Sequence, residues 1–297
     1  MSDINPIAFS TVACPDWDID RVIAAAVEYG YQGVELRTLG ADSKHLASDP
    51  ASSGRDPEDT RAAFDKAGIQ LYLLATSVAL HFRDEYERIE AMKAAKQYID
   101  LAVKLGCPAI RTFGYQIYPG ELKPKALRRI ADRYRQLGEY AEKSGTQILI
   151  ENAGSFARSK ELWMLMKDID HPLVGVCWNV ANAATVGETP AVSVNVLNSK
   201  IRYAKVKDAE VGEGTGFLPL GQGTVEVERF VELLRGIGYH GPLAFEWDKA
   251  WLPSLAEPEE ALPKAVETLT EWMRLKVDKK GKPLAKREAA VLEVKAS

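Results

Sequence analysis

The sequence predicts a TIM (β/α)8 barrel. Short apolar, β-branched runs alternate with helix-like segments eight times along the chain. The runs are nearly continuous in apolar residues, as strands covered on both faces must be, and several end abruptly in a charged residue. At 297 residues, 46% apolar and 27% charged, the chain suits a single large barrel.

The units follow in order. Ile7–Ala13 reads as the first strand, and 18–30 as a helix with Asp18 placed to cap it and Gly30 to end it. Gly33–Arg37 is the second strand. A Ser, Asp and Gly-rich loop over 38–55 then leads to a helix at Pro57–Ala67. Ile69–Ala75 is the third strand, and 84–105 a long helix with apolar spacing at Ile89, Met92, Ala95, Ile99 and Ala102. Ala109–Phe113 precedes a helix over 124–143, and the run Gln147 to Asn152 is the fifth strand. A helix at 159–168, a strand at Leu173–Cys177, a short helix at 192–198 and a strand at Ile201–Val206 come next. The stretch 212–223 is glycine-rich and too long for a plain connection, so it is expected to be an active-site lid. A helix at 225–237, the eighth strand at Leu243–Trp247 and a helix over 259–275 complete the domain, 1–275. The tail, 276–297, carries seven Lys or Arg against three acids and is expected to be a solvated basic extension.

Composition narrows the function. A formal net charge of -4 with no basic face in the body of the chain argues against nucleic acid as a partner. No run approaches the ~18 apolar residues of a membrane span, and the first residues lack a secretory pattern, so a cytoplasmic protein is expected. Cys14, Cys107 and Cys177 are widely spaced, which fits reduced thiols better than disulfides or a zinc site.

In such a barrel, chemistry sits at the C-terminal ends of the strands. The polar residues there are Glu35 and Arg37, Arg111, Glu151 and Asn152, Asn179, Lys205 with Lys207 and Asp208, and Glu246 with Asp248. His81 follows the third strand, whereas His45, His171 and His240 read as surface residues. Strand alternation puts Leu149 with Glu151, and Ala244 with Glu246, on one inward face, so the two glutamates are expected to share a central space. The same parity sends Cys177 inward as an inert thiol, and Trp178 and Trp247 outward into the packing against the helices.

GVELR at Gly33–Arg37, IRTFGY at 110–115, ILIEN at 148–152, KVKDAE at 205–210 and the run from Leu218 to Glu246 give the chain a resemblance to the xylose-isomerase-like sugar isomerases and epimerases. The resemblance implies one divalent metal, Mn²⁺ or Mg²⁺, held by a glutamate after strand five, an aspartate after strand six, a histidine on strand seven and a glutamate after strand eight. The two glutamates correspond to Glu151 and Glu246. The aspartate position falls on Asn179, a nearby family histidine on Asn182, and the metal-binding histidine on Lys205. An amide still offers an oxygen to a hard cation, but an ammonium has no lone pair and repels it. Glu151, Asn179 and Glu246 are thus a reduced ligand set should a metal be kept, and Lys205 disfavours one.

The expectation that follows is a sugar or keto-sugar isomerase, epimerase or related lyase working by proton abstraction beside a carbonyl. Glu151 and Glu246 are the acid/base pair, and Lys205 takes over the metal's electrostatic work. Arg111, Asn179, Lys207, Asp208 and His81 are substrate contacts, and Glu35 supports the site from behind. A Schiff base on Lys205 is the weaker idea, because adjacent carboxylates hold its pKa up. The alternative is a catalytically silent sugar-binding barrel. A nuclease of the apurinic type would need a histidine-rich zinc site, and the chain has four histidines, none on those strand ends. The expected partners are a small sugar and, as is common in the family, further copies of the chain in a homo-oligomer.

Overall fold

The structure, a computed structural model, describes residues 5–37, 55–212 and 216–274. The expected loop over 38–55 and the basic tail 276–297 fall almost entirely outside these residues. Eight parallel strands close into a barrel in the order β1-β10-β7-β6-β5-β4-β3-β2. In chain order they are β1 (Ile7–Ser10), β2 (Gly33–Leu36), β3 (Gln70–Ala79), β4 (Ala109–Phe113), β5 (Gln147–Glu151), β6 (Val174–Asn179), β7 (Ile201–Val206) and β10 (Leu243–Phe245). The intervening β8 (Asp208–Glu210) and β9 (Gly216–Leu218) form a separate antiparallel hairpin.

The surrounding helices are α1 (Ile19–Tyr29), α2 (Pro57–Ala67), α3 (Glu85–Leu105), α4 (Lys123–Ala141), α5 (Ser159–Ile169), α6 (Val180–Ala184), α7 (Pro190–Leu197), α8 (Val227–Gly236) and α9 (Pro258–Met273). Their ends follow local chemistry. Asp18 accepts from the Arg21 amide at 2.8 Å at the start of α1, and Gly30 closes it in the left-handed region at φ 83°.

Two apolar layers hold the barrel. A large outer cluster joins the outward faces of the strands to the helices and includes Trp178 and Trp247, where parity puts them. A smaller inner cluster of Ala8, Leu73, Ala109, Leu149, Cys177, Tyr203 and Ala244 fills one level of the interior. Because successive inward residues alternate along each strand, the next level is built from Glu35, Arg111, Glu151, Asn179, Lys205 and Glu246. The apolar plug is the floor on which that polar level rests.

Several boundaries differ from the sequence reading. β1 stops at Ser10, and Thr11–Ala13 is a buried 3-10 turn, which a β-branched run cannot signal. β3 runs four residues further than expected, to Ala79, with a register shift after Ala75. β6 continues to Asn179, and the short α6, which the sequence reading missed, follows at once. The expected lid is in part a hairpin, whose Phe217 pairs with Ala209. His171 is not a surface residue: its side chain is 10% exposed and packs over Gly138.

Gly33 is the tightest point of the wall. A Cβ there would lie 2.3 Å from the Tyr72 ring and 2.4 Å from the Gln70 carbonyl oxygen, and backbone cannot retreat as a side chain can. Gly33→Ala is expected to destabilise the protein by about 2 kcal/mol through overpacking, read as a lower urea midpoint at unchanged m-value.

Candidate active site

The inward polar level is a buried charge cluster centred on Lys205. β7 carries this lysine inward beside Asn179 of β6 and Ala244 of β10. It is 1% exposed, and its ammonium contacts Glu35 at 3.0 Å, Glu151 at 3.4 Å and one oxygen of Glu246 still more closely. Three carboxylates from three distant parts of the chain therefore share one cation. Burial alone would lower the lysine pKa, but Glu151, Glu246 and Glu35 outweigh it and raise it well above the ordinary value.

Two of the carboxylates have further partners, whereas neither oxygen of Glu35 accepts a hydrogen bond. Glu151 accepts from the Asn179 amide at 3.1 Å and from Asn182 at 3.5 Å, and pairs with Arg111 Nε at 3.1 Å. Glu246 accepts from Asn179 at 3.1 Å and from Lys207 at 2.8 Å. Burial pushes the Glu246 carboxyl up, but Lys205 and Lys207 override this and hold it well below the usual carboxylate range. One level up, Lys207 also donates to Asp248 at 2.8 Å and lies over the Phe217 ring of the hairpin. Burial and then the charge of Glu246 raise the pKa of Asp248.

The strand ends are locked so that these groups stay in place. The Asn179 amide N–H donates to Asn152 Oδ1 at 2.7 Å, and Asn152 Nδ2 returns a bond to the Asn179 carbonyl at 3.0 Å. Asn179 also caps α6 by accepting from the Asn182 amide, so its Nδ2 is left to face both glutamates.

The structure brings Glu35, Arg111, Glu151, Asn179, Lys205, Lys207 and Glu246 together in one place, and one expected contact, Asp208, faces elsewhere. Asp208 is turned away from the barrel axis: its carboxylate accepts from the backbone N–H groups of Ala209, Gly221, Gly223 and Val225 at 2.8–3.2 Å. It holds the hairpin loop closed, and no lone pair is left over for a sugar hydroxyl. His81 sits in an aromatic rim, its ring 4.3 Å from Phe82 and 5.3 Å from Tyr115, and burial followed by Arg129 and Arg133 lowers its pKa. Asn182 and Asp248 belong to the cluster although the sequence reading gave them no role. Lys207 draws Asp248 into the cluster, and Asn182 reaches it from the short helix α6.

The residues present do not fit a divalent cation. The ammonium of Lys205 stands between the two glutamates that would ligate it, and Asn179 directs its NH2 at them rather than its oxygen. Among the described residues no group of three or more His, Cys, Asp or Glu is arranged to hold a metal ion. No helix among them is long and apolar enough to cross a membrane.

A family model described as xylose isomerase-like TIM barrel matches residues 23–274. The L-ribulose-5-phosphate 3-epimerase UlaE of Escherichia coli O157:H7 is 22% identical over 205 residues, covering 67% of this chain and 68% of its own. A solved L-ribulose 3-epimerase superposes with a TM-score of 0.76 at 14% identity, over 99% of this chain and 98% of that one. The IOLI protein with a binding zinc atom also gives 0.76, at 17% identity, over 90% and 98%. At these identities the structural likenesses establish the fold.

Lys205→Met strips the cation from three buried carboxylates and is expected to cost roughly 3–5 kcal/mol in denaturant unfolding. The pH dependence has a definite sign. Glu246 is depressed below the ordinary 4.5, so the stability it contributes is present above 4.5 and lost as pH falls through its folded value. Lys205 is raised above 10.5, so its contribution is full below 10.5 and lost only on the alkaline side. Asp248, raised above 3.8, works against Glu246 and recovers part of the loss in acid. The urea midpoint is therefore expected to fall below pH 4.5, and less steeply in Glu246→Gln.

Proposed function

The chain belongs to the xylose isomerase-like TIM barrel family, and from that premise we propose that it is a sugar or keto-sugar isomerase or epimerase that works without a divalent metal. The observation that carries this reading is the single ammonium of Lys205 in contact with Glu35, Glu151 and Glu246. A fixed cation at that point sets positive charge against both glutamates in a buried site, as a dication would, and helps hold Glu246 well below the usual carboxylate range. The likeness to 3-epimerases of ribulose and its 5-phosphate suggests a ketose as substrate.

The chemistry divides as follows. One of Glu151 and Glu246 takes the proton from the carbon beside the carbonyl, and the C–H electron pair moves through the new double bond onto the carbonyl oxygen. The enediolate is met by positive charge already in place. Lys205 lies against three carboxylates, donates to Glu246 and acts as a fixed field, whereas Lys207 uses two N–H groups on Glu246 and Asp248 and keeps one for a substrate oxygen. For isomerisation the glutamate that took the proton returns it to the neighbouring carbon as the hydroxyl proton there passes to the former carbonyl oxygen; for epimerisation the other glutamate delivers to the opposite face a proton taken from water, and the first releases its own to water. Arg111 holds Glu151 in position and stacks on Phe113 at 4.4 Å.

A catalytically silent sugar-binding protein is the second reading, and one observation favours it: both oxygens of Glu246 and one of Glu151 already accept hydrogen bonds from the protein. Ketoses incubated with the protein in deuterated water distinguish the two. The expected result is deuterium incorporation next to the carbonyl that survives exhaustive chelation and drops by about 10²–10⁴-fold in Glu151→Gln or Glu246→Gln. Binding of the same ketoses with no exchange would establish the silent reading.

A further inference from the structure

Among the described residues, the cations at the inward strand ends are matched in contact with one exception. Lys205, Lys207 and Arg111 each touch a carboxylate. Arg37 touches none among the described residues. It continues the inward parity of β2, two residues above Glu35. Its backbone amide is pinned to Thr11 Oγ1 at 2.8 Å. Of the five N–H groups of its guanidinium, the described residues use one, Nη2 donating to Ser77 Oγ at 2.7 Å. The same group lies 5.6 Å from the centre of the Trp251 ring, a side chain left 43% exposed.

A guanidinium held this way is unfavourable on its own. It is partly buried, it is repelled by Arg111, and the attraction of Glu35 and Glu246 reaches it only at a distance. The planar fork of an arginine matches the two oxygens of a carboxylate or of a phosphate, and its open edge here has no acceptor among the described residues. We propose that Arg37 is the recognition site for an oxyanion on the ligand, so that the molecule bound over the glutamate pair is an acidic sugar, its anionic group on Arg37 and its carbon face against Trp251. The inference rests on the reading of the mouth as a sugar site and goes beyond it, because it names the charge of the substrate and the residue that reads it.

Binding rather than turnover tests the idea, so that it stands or falls apart from the proposed reaction. Ribonate, ribose 5-phosphate and ribitol present the same carbon chain with a carboxylate, a phosphate and no charge, and titration calorimetry on the full chain ranks them. At least one of the two anions is expected to bind about tenfold more tightly than ribitol, and whichever leads tells carboxylate from phosphate. Arg37→Met is expected to bring the anion down to the level of ribitol while the ribitol affinity stays within about twofold, and Arg37→Lys to keep part of the preference. Equal affinities for all three ligands, an anion preference that survives Arg37→Met, or no binding of any of them would overturn the proposal. Should Arg37→Met fail to fold, Arg37→Lys still decides, because a bidentate site loses affinity for the anion selectively and an incidental one does not.

Discussion

The interior of this barrel depends on one buried ammonium. Glu35, Glu151 and Glu246 reach the same space from the second, fifth and last strands, and no fold tolerates three carboxylates there without a cation. Lys205 supplies it in the most compact form available, a point charge on a flexible stem rising from the apolar floor. The price is conformational: the ammonium is fixed among three carboxylates before any ligand arrives. That rigidity is useful where charge must be stabilised as it develops, since donors already in place need no reorganisation.

Much of this was legible in the sequence, for identifiable reasons. The strands are buried on both faces, so the charged residue at the end of each run stands out, and alternation assigns Glu151, Lys205 and Glu246 to one face without coordinates. What alternation cannot give is the direction of a side chain beyond the strand end. Asp208 looked like a substrate ligand because it follows Lys207, yet it sits one residue out of phase and bonds the backbone of its own loop. Asn179 was legible as a departure from a carboxylate; its double role, capping α6 and donating to both glutamates, depends on a short helix that five residues of ordinary composition do not announce. The register shift in β3 was similarly hidden, because apolar residues continue through it.

A lysine and an asparagine at the centre of the carboxylates shape how the site relates to its surroundings. A metal-dependent barrel acquires its central charge from solution, at a stoichiometry set by supply. Here the charge is encoded in the chain, and its presence is independent of metal availability. The two designs also differ in tunability: Lys207 and Asp248 form a second pair directly above the first, and the carboxylates of the two levels influence one another's proton affinity.

The closure of the barrel has a consequence for how the chain reaches this state. β1 pairs with β10 in the register Ile7 to Leu243, so the last seam joins segments more than two hundred residues apart. Until it forms, Glu246 and Glu35 are kept from their common cation, and the half-closed sheet must hold a buried lysine with too few counter-charges or leave it in water. Assembly of the polar level is thereby tied to the most non-local event in folding, where loop-closure entropy is greatest. Fragments ending before the final strand lack both the seam and the carboxylate that follows it, which makes the charge cluster a built-in penalty on incomplete chains.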